Sequence, residues 1–225
     1  PNGAGKSTTV RMLTTLTTIS GGTATVGGRD VATDADGVRR IIGVALQEAG
    51  LAPRQTAREL LVLQGRLFDM PKAAVEARAD ELLRLVELDD VADRRVKGFS
   101  GGMKRRLDLA CALVHEPRIL FLDEPTTGLD PASRITIWDE VERIRRQGIT
   151  VFLTTQYLEE ADQLCDRLAI INDGLIVREG TPAALKAELK SRLNLSEDPT
   201  LDDVFLDVTG KTRTRSAGEV SEVTA

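Results

Sequence analysis

From Ile119 onward the chain alternates short apolar runs with segments of helical spacing, and this alternation limits its fold more than any other feature. Ile119 to Leu122 reads as a strand, Ala132 to Arg146 as a helix, Val151 to Thr154 as a strand and Leu158 to Leu164 as a helix. Leu168–Ile171 and Leu175–Val177 flank Asp173–Gly174, the composition of a hairpin. Pro182 to Leu193 adds a further helix. Such alternation implies an α/β fold, a mainly parallel sheet flanked by helices.

The upstream part fits the same plan. Gly3 to Leu16 reads as a glycine-rich turn feeding a helix, and a short strand follows around Thr23 to Val26. Ile41 to Ala45, bounded by Arg40 and Gln47, suits a buried strand. Thr56 to Phe68 and Lys72 to Val86 show helical spacing, with Pro71 between them as a breaker. They place a helical insertion at about residues 51–115, which closes with a helix over Met103 to Val114.

Composition bounds the partners. With 225 residues, 41% of them hydrophobic, the chain suits one domain over 1–208, followed by a tail at 209–225. That tail is rich in Ser, Thr, Arg and Glu and is expected to be disordered. A net charge of −5 argues against a nucleic-acid partner, which would usually meet a basic face. No apolar run approaches the roughly 18–20 residues that cross a bilayer, and no signal peptide is visible. Cys111 and Cys165 lie in apolar helical surroundings, so they read as small buried hydrophobes in a reducing cytoplasm rather than a disulfide framework.

Two motifs carry chemistry. Pro1–Asn2–Gly3–Ala4–Gly5–Lys6–Ser7–Thr8 matches G-x-x-x-x-G-K-S/T from its second position onward, so the chain is expected to start inside a phosphate-binding loop. Glycines there let successive N–H groups converge on phosphate oxygens, beside the positive end of the next helix. Lys6 would reach the β- and γ-phosphates, and the Ser7 hydroxyl would ligate Mg²⁺. A plain glycine turn capping a helix would look the same in isolation. Asp123 and Glu124 end the apolar run Ile119–Leu122, at the sheet edge where open parallel sheets bind ligands. One carboxylate can sit near a metal and the other can orient or deprotonate a water. Alone, Asp123 could equally cap the following segment.

Phe99–Ser100–Gly101–Gly102–Met103, a Ser-Gly-Gly turn opening a helix shortly before the acidic strand, resembles the signature motif of ABC ATPases. By itself it also suits a helix N-cap. Gln47, after a strand and before the helical insertion, is similar to the family's Q-loop glutamine. Gly128–Leu129–Asp130 resembles the D-loop, and Asp130 also suits an N-cap. The resemblance implies an ATP- and Mg²⁺-dependent cassette in a head-to-tail homodimer with two ATPs between the subunits. Lys6, Ser7, Gln47, Asp123 and Glu124 would face one ATP, with Ser7, Gln47 and Asp123 at the metal. Ser100, Gly101 and Gly102 of the second subunit would close over its γ-phosphate.

Three departures from the family pattern stand out. The signature carries Phe99 and Met103 where Leu and Gln are common. Gln156 stands where most cassettes have a switch histidine, so it can donate to a γ-phosphate oxygen without carrying charge. The aromatic that stacks on adenine in the family lies in N-terminal strands, and none of these is present; the five Phe, Tyr157 and Trp138 all lie elsewhere. Weak ATP binding and poor folding are therefore expected of this stretch alone. His115, the single histidine, ends the signature helix and reads as a surface residue.

Within the family, Phe99 to Ala110, Thr154 to Asp162 and Pro199 to Gly210 resemble the daunorubicin-resistance branch of exporters. That likeness implies an ATP hydrolase on the cytoplasmic face of the membrane, held there by a separate membrane-spanning permease. The permease would set the substrate and dock on the insertion, roughly Leu51 to Val96. An anthracycline-like drug is the expected cargo, with a non-drug substrate as the alternative. Soluble cassettes of translation or DNA repair form another class, usually with two cassettes or a long coiled coil, neither of which is seen. A cassette that binds without hydrolysing is opposed by Lys6, Asp123 and Glu124, and slightly favoured by Gln156.

Overall fold

The computed structural model describes residues 1–47 and 50–210, so the tail expected to be disordered lies outside the described residues from 211 onward. The chain opens with α1 (Lys6–Leu13), the short hairpin β1 (Thr25–Val26) and β2 (Arg29–Asp30), α2 (Ala35–Ile41) and β3 (Ile42–Ala45). The insertion follows as α3 (Ala57–Leu67), α4 (Lys72–Leu85) and two short 3-10 turns, before α5 (Gly101–Leu113). Then come β4 (Ile119–Asp123), α6 (Pro131–Arg146), β5 (Thr150–Thr154), α7 (Leu158–Leu164) and the hairpin β6 (Leu168–Asn172) and β7 (Leu175–Gly180). α8 (Pro182–Leu193) and α9 (Leu201–Thr209) complete the described chain, so ordered helix runs one residue past the expected boundary at 208.

The central sheet is parallel and three-stranded, in the order β3–β4–β5, and the other two sheets are antiparallel hairpins. In its register Val44 faces Phe121 and Asp123 faces Thr154. All three strands therefore end at one edge and deliver Gln47, Asp123, Glu124 and Thr154 there, as open parallel sheets deliver ligand-binding groups. β5 has no strand partner on its far side among the described residues. An apolar groove of about 810 Å³ lies there, lined by residues that include Phe152, Leu153, Leu168 and Ile170.

β4 divides the core because alternate side chains of a strand point to opposite faces. Leu120 and Leu122 join the larger cluster with Leu61, Leu82, Leu107 and Ile137, from the insertion, α5 and α6. Phe121 packs on the other face with Val10 of α1, Val26, Val38 and Ile42. Helices thus cover both faces, and each fully buried leucine contributes about 1.5–3 kcal/mol. α5 packs against β3 as well as α3 and α4, so insertion and sheet share it. A third cluster joins α7, β6, α8 and α9 through Ala161, Ile170, Leu185 and Val204.

Local signals explain the helix starts. Thr56 and Glu59 form a capping box on α3, and Thr181 caps α8 by accepting from the Ala184 N–H. α2 was not expected, because its seven residues run directly into β3 at Ile42. Its cap is Asp34, which accepts from the Gly37 N–H, and its inward anchor is the buried Val38. Among the described residues no helix is long and apolar enough to cross a membrane.

α3 and α4 approach closely at Gly65, where a Cβ would come 1.8 Å from Val75 Cγ2. Glycine inside a helix costs about 1 kcal/mol relative to alanine, so packing and not propensity keeps it there. Gly65→Ala is expected to lower stability by about 1–3 kcal/mol in urea unfolding. Adding Val75→Ala should recover part of that loss, a coupling of about 0.5 kcal/mol or more.

α6 buries Glu140 to 1% exposure, with neither carboxylate oxygen hydrogen-bonded. Burial raises its pKa from 4.5 to about 8, opposed by Arg106 and Arg143 and reinforced by Glu87 and Asp139. The folded chain therefore holds a proton that the unfolded chain has released between those values. Stability tied to this proton is complete below pH 4.5 and is lost as pH rises through about 8. Glu140→Gln should remove that slope, at most about 1.4 kcal/mol per pH unit. Its urea midpoint should rise above that of the unsubstituted protein at pH 8 and match it closely at pH 4.5.

Candidate functional site

Two glycines shape the entrance to α1. Gly3 has φ +77° and Gly5, the N-cap residue, has φ +106°. A Cβ at Gly3 would meet nothing within 4 Å and one at Gly5 nothing nearer than 3.7 Å, so backbone angle and not crowding requires glycine. No side chain caps the helix, which leaves its first N–H groups available to an anion. Asn2 and Gly3 are exposed, while Ala4 is buried and its carbonyl accepts the Gly174 N–H at 3.0 Å. Thr8 is exposed on the first turn.

Lys6, Ser7, Gln47, Asp123 and Glu124 converge. Ser7 Oγ donates to Asp123 Oδ1 at 3.1 Å, and Thr154 Oγ1 donates to the same oxygen. Lys6 Nζ stands 3.6 Å from Glu124 Oε1 and donates to the Pro1 carbonyl at 3.0 Å. Glu124 Oε2 accepts from Thr127 Oγ1 at 3.1 Å, and Gln47 Nε2 lies 3.5 Å away. Glu124 is only 9% exposed, and its φ of +49° is a left-handed angle costing a non-glycine residue about 1–3 kcal/mol. The Glu124 N–H is held by the Thr154 carbonyl at 3.0 Å and by Thr154 Oγ1 at 3.3 Å.

These residues fit a magnesium nucleotide. The uncapped start of α1 and the Lys6 ammonium suit phosphate oxygens, and the adjacent Ser7 and Asp123 oxygens suit a hard cation. Among the described residues no three His, Cys, Asp or Glu cluster as a metal site of their own. A cation here would thus take its remaining oxygens from phosphate and water, as Mg²⁺ commonly does.

The signature residues form a separate group. Ser100 is exposed and caps α5 by accepting from the Met103 N–H at 3.2 Å. Asp130 caps α6, accepting from the Ser133 N–H at 2.9 Å and from its hydroxyl at 2.6 Å. The Ser133 hydroxyl and N–H together hold the Asp130 carboxyl below its usual pKa. A Cβ on Gly102 would come 2.9 Å from Ser133 Oγ, while Gly101 has room. Ser100, Gly102, Met103, Arg106 and Ser133 line a depression of about 200 Å³ that includes no phosphate-loop residue. Within one chain the two groups stay apart.

Gln156 is exposed on the bend after β5, and its side chain makes no hydrogen bond among the described residues, so it is not drawn into the cluster. His115 is not the surface residue expected. Its ring stacks on Phe68 at 3.7 Å, and Nε2 lies 2.8 Å from the carbonyl of Ile42, at the start of β3. That places it at the sheet end opposite Asp123, where burial lowers its pKa. Trp138 is partly buried and donates to Glu160 Oε1 at 3.0 Å. Cys111 and Cys165 are free, and burial pushes their thiols up to about 12 and about 11.

Thr154, Thr127 and Arg105 were not foreseen as site residues. Thr154 becomes one only through the parallel register with β4, which no local pattern encodes. Arg105 had a faint signal, because it shares a helix face with Asp108 at i+3.

The family model described as ABC transporter matches residues 1–127. The chain belongs to the ABC transporter family. It is 52% identical over 193 residues to the daunorubicin/doxorubicin resistance ATP-binding protein DrrA of Streptomyces peucetius, covering 86% of this chain and 58% of that protein. It is 46% identical over 185 residues to the Nod factor export ATP-binding protein I of Burkholderia lata, covering 82% and 61%. The chain thus spans about three fifths of the length of these relatives. A solved ATP-binding subunit of an ABC transporter matches with a TM-score of 0.79 and 27% identity, over 93% of this chain and 85% of that one. The expected α/β cassette fold is therefore present.

Thr154 offers a test of the cluster's packing that needs no nucleotide. Thr154→Val removes a hydroxyl that serves both Asp123 and the Glu124 N–H, and should cost about 1–3 kcal/mol in urea unfolding. Thr154→Ser retains the hydroxyl and should recover most of that loss.

Proposed function

We propose that the chain is the ATP-binding and ATP-hydrolysing subunit of an exporter, working as a head-to-tail pair of cassettes. The observation that carries this reading is the convergence of Lys6, Ser7, Gln47, Asp123 and Glu124 at the uncapped start of α1. The N–H groups from Gly3 to Thr8 and the Lys6 ammonium would bind the phosphates, with Lys6 exchanging its Glu124 partner for the γ-phosphate. Ser7, Asp123 and Gln47 would hold Mg²⁺, which when bound neutralises charge on the phosphate oxygens. Freed from Lys6, the Glu124 carboxylate would orient the attacking water and take its proton. Its unusual backbone angle turns it out of line with β4, and Thr127 and Gln47 keep it aimed. Ser100, Gly101 and Gly102 of a second copy would supply the start of α5 to the γ-phosphate, with Asp130 joining the two sites. Gln156 would report the γ-phosphate as a neutral donor once closure brings the two together.

A separate permease subunit would hold the pair on the cytoplasmic face of the membrane, docked on the insertion. The name of the Streptomyces relative supports an anthracycline-like cargo. A non-drug cargo is the second reading, favoured by the relative named for Nod factor export. The domain is proposed to end near Thr209, with a disordered tail beyond.

Glu124→Gln should still bind ATP with Mg²⁺ and accumulate as a dimer in light scattering. Hydrolysis should fall by about 10²–10⁴-fold. Turnover at the unsubstituted rate would place the base elsewhere.

A further inference from the structure

Arg105 lies one turn into α5 and is 8% exposed. Its guanidinium gathers backbone carbonyls from both neighbouring strand ends. Nε donates to the Pro125 carbonyl at 2.8 Å and Nη2 to the Asp123 carbonyl at 3.2 Å. Nη1 donates to the Leu46 carbonyl and lies 3.3 Å from Asp108 Oδ2. Burial disfavours the charge, while Asp108, Glu160 and Asp123 favour it.

The positions of these carbonyls matter. Leu46 immediately precedes Gln47, the Asp123 carbonyl belongs to the peptide that enters Glu124, and Pro125 leaves it. The left-handed turn at Glu124 is thus clamped on both sides by one side chain, and from behind by Thr154. A planar fork of five N–H donors can hold three divergent carbonyls at once, whereas an ammonium acts as a point charge. The side-chain hydrogen bonds of Arg105 go to Leu46, Asp108, Asp123 and Pro125, and none goes to the phosphate loop or to the Ser100–Gly102 turn. It stands five residues after Ser100, about 7.5 Å along the helix axis.

We propose that Arg105 is the positioning residue that makes the hydrolytic groups of one cassette respond to the engagement of its own signature helix. This rests on the function proposed above. When the start of α5 closes on the partner's nucleotide, the helix moves as a rigid rod. Arg105 carries that movement to the peptides of Gln47 and Glu124. ATP bound across the dimer by one end of α5 thereby sets the geometry of the water-orienting groups in the other site.

The test uses the full-length protein with Arg105→Lys and Arg105→Gln. ATP affinity and ATP-driven dimerisation in the Glu124→Gln background should stay within about threefold of the parent, because no phosphate-binding group is touched. The kcat should fall roughly 10²-fold, the effect of a misplacement near 1 Å, and Lys should retain more of it than Gln. In nucleotide-free Arg105→Lys, amide exchange at Gln47 and Glu124 should quicken roughly tenfold, the loss of about one hydrogen bond, with that of α4 unchanged. A folded variant with parental kcat and exchange would overturn the proposal, as would equal losses of affinity and turnover. If both variants unfold, Arg105 holds the fold itself and the positioning role is rejected. If the unsubstituted protein hydrolyses no ATP, the proposed function fails, and the exchange result alone decides whether Arg105 positions these peptides.

Discussion

The Asp123 carboxylate ties together the elements on which the rest depends. It ends β4 and accepts from Ser7 on α1 and from Thr154 on β5, so one side chain joins a helix and two strands. Thr154 in turn fixes the backbone of Glu124, and Glu124 meets Lys6 from the same first turn of α1. The polar cluster is therefore closed on itself at a buried edge, where unpaired groups would be costly. Because each member has its partner, the edge can hold charged groups without nucleotide and still present them to one.

Two separate surfaces arise from one strand–helix succession. The acidic end of β4 belongs to the phosphate-loop side, while the start of α6, a few residues later, packs beside the Ser100–Gly102 turn. On the proposed reading, a single chain displays the two halves of a composite site on separate surfaces.

Much of this was legible beforehand wherever chemistry and position lie close in sequence. The phosphate loop, the acidic end of β4 and the cap at Ser100 are each a few adjacent residues, and β3, β4, β5 and β6 fell within one residue of their expected limits, whereas β1 starts two residues later, β7 runs three residues further and β2 was not expected. What escaped notice depends on distance. α2 is too short for a period to show, and Thr154 acquires its role only from strand pairing. Arg105 stands between Lys104 and Arg106 with little local to mark it, yet burial against carbonyls from remote segments separates it from its neighbours. His115 seemed peripheral because its partners, Phe68 and the Ile42 carbonyl, come from elsewhere. Gln156 was found at the expected strand end but free of the cluster, since its proposed partner is a ligand and not another side chain.

The left-handed angle at Glu124 has a bearing on how such a chain can decay over generations. Glycine would accept that angle without strain, and asparagine nearly so. Drift at this codon toward the more comfortable residue would relax the backbone while removing the carboxylate. On the role proposed for Glu124 such a change would silence the cassette, and its relief of backbone strain would be set against the loss of the carboxylate partner of Lys6 and Thr127. The two effects on folding oppose each other, so loss of the proposed activity at this site need not announce itself as loss of fold.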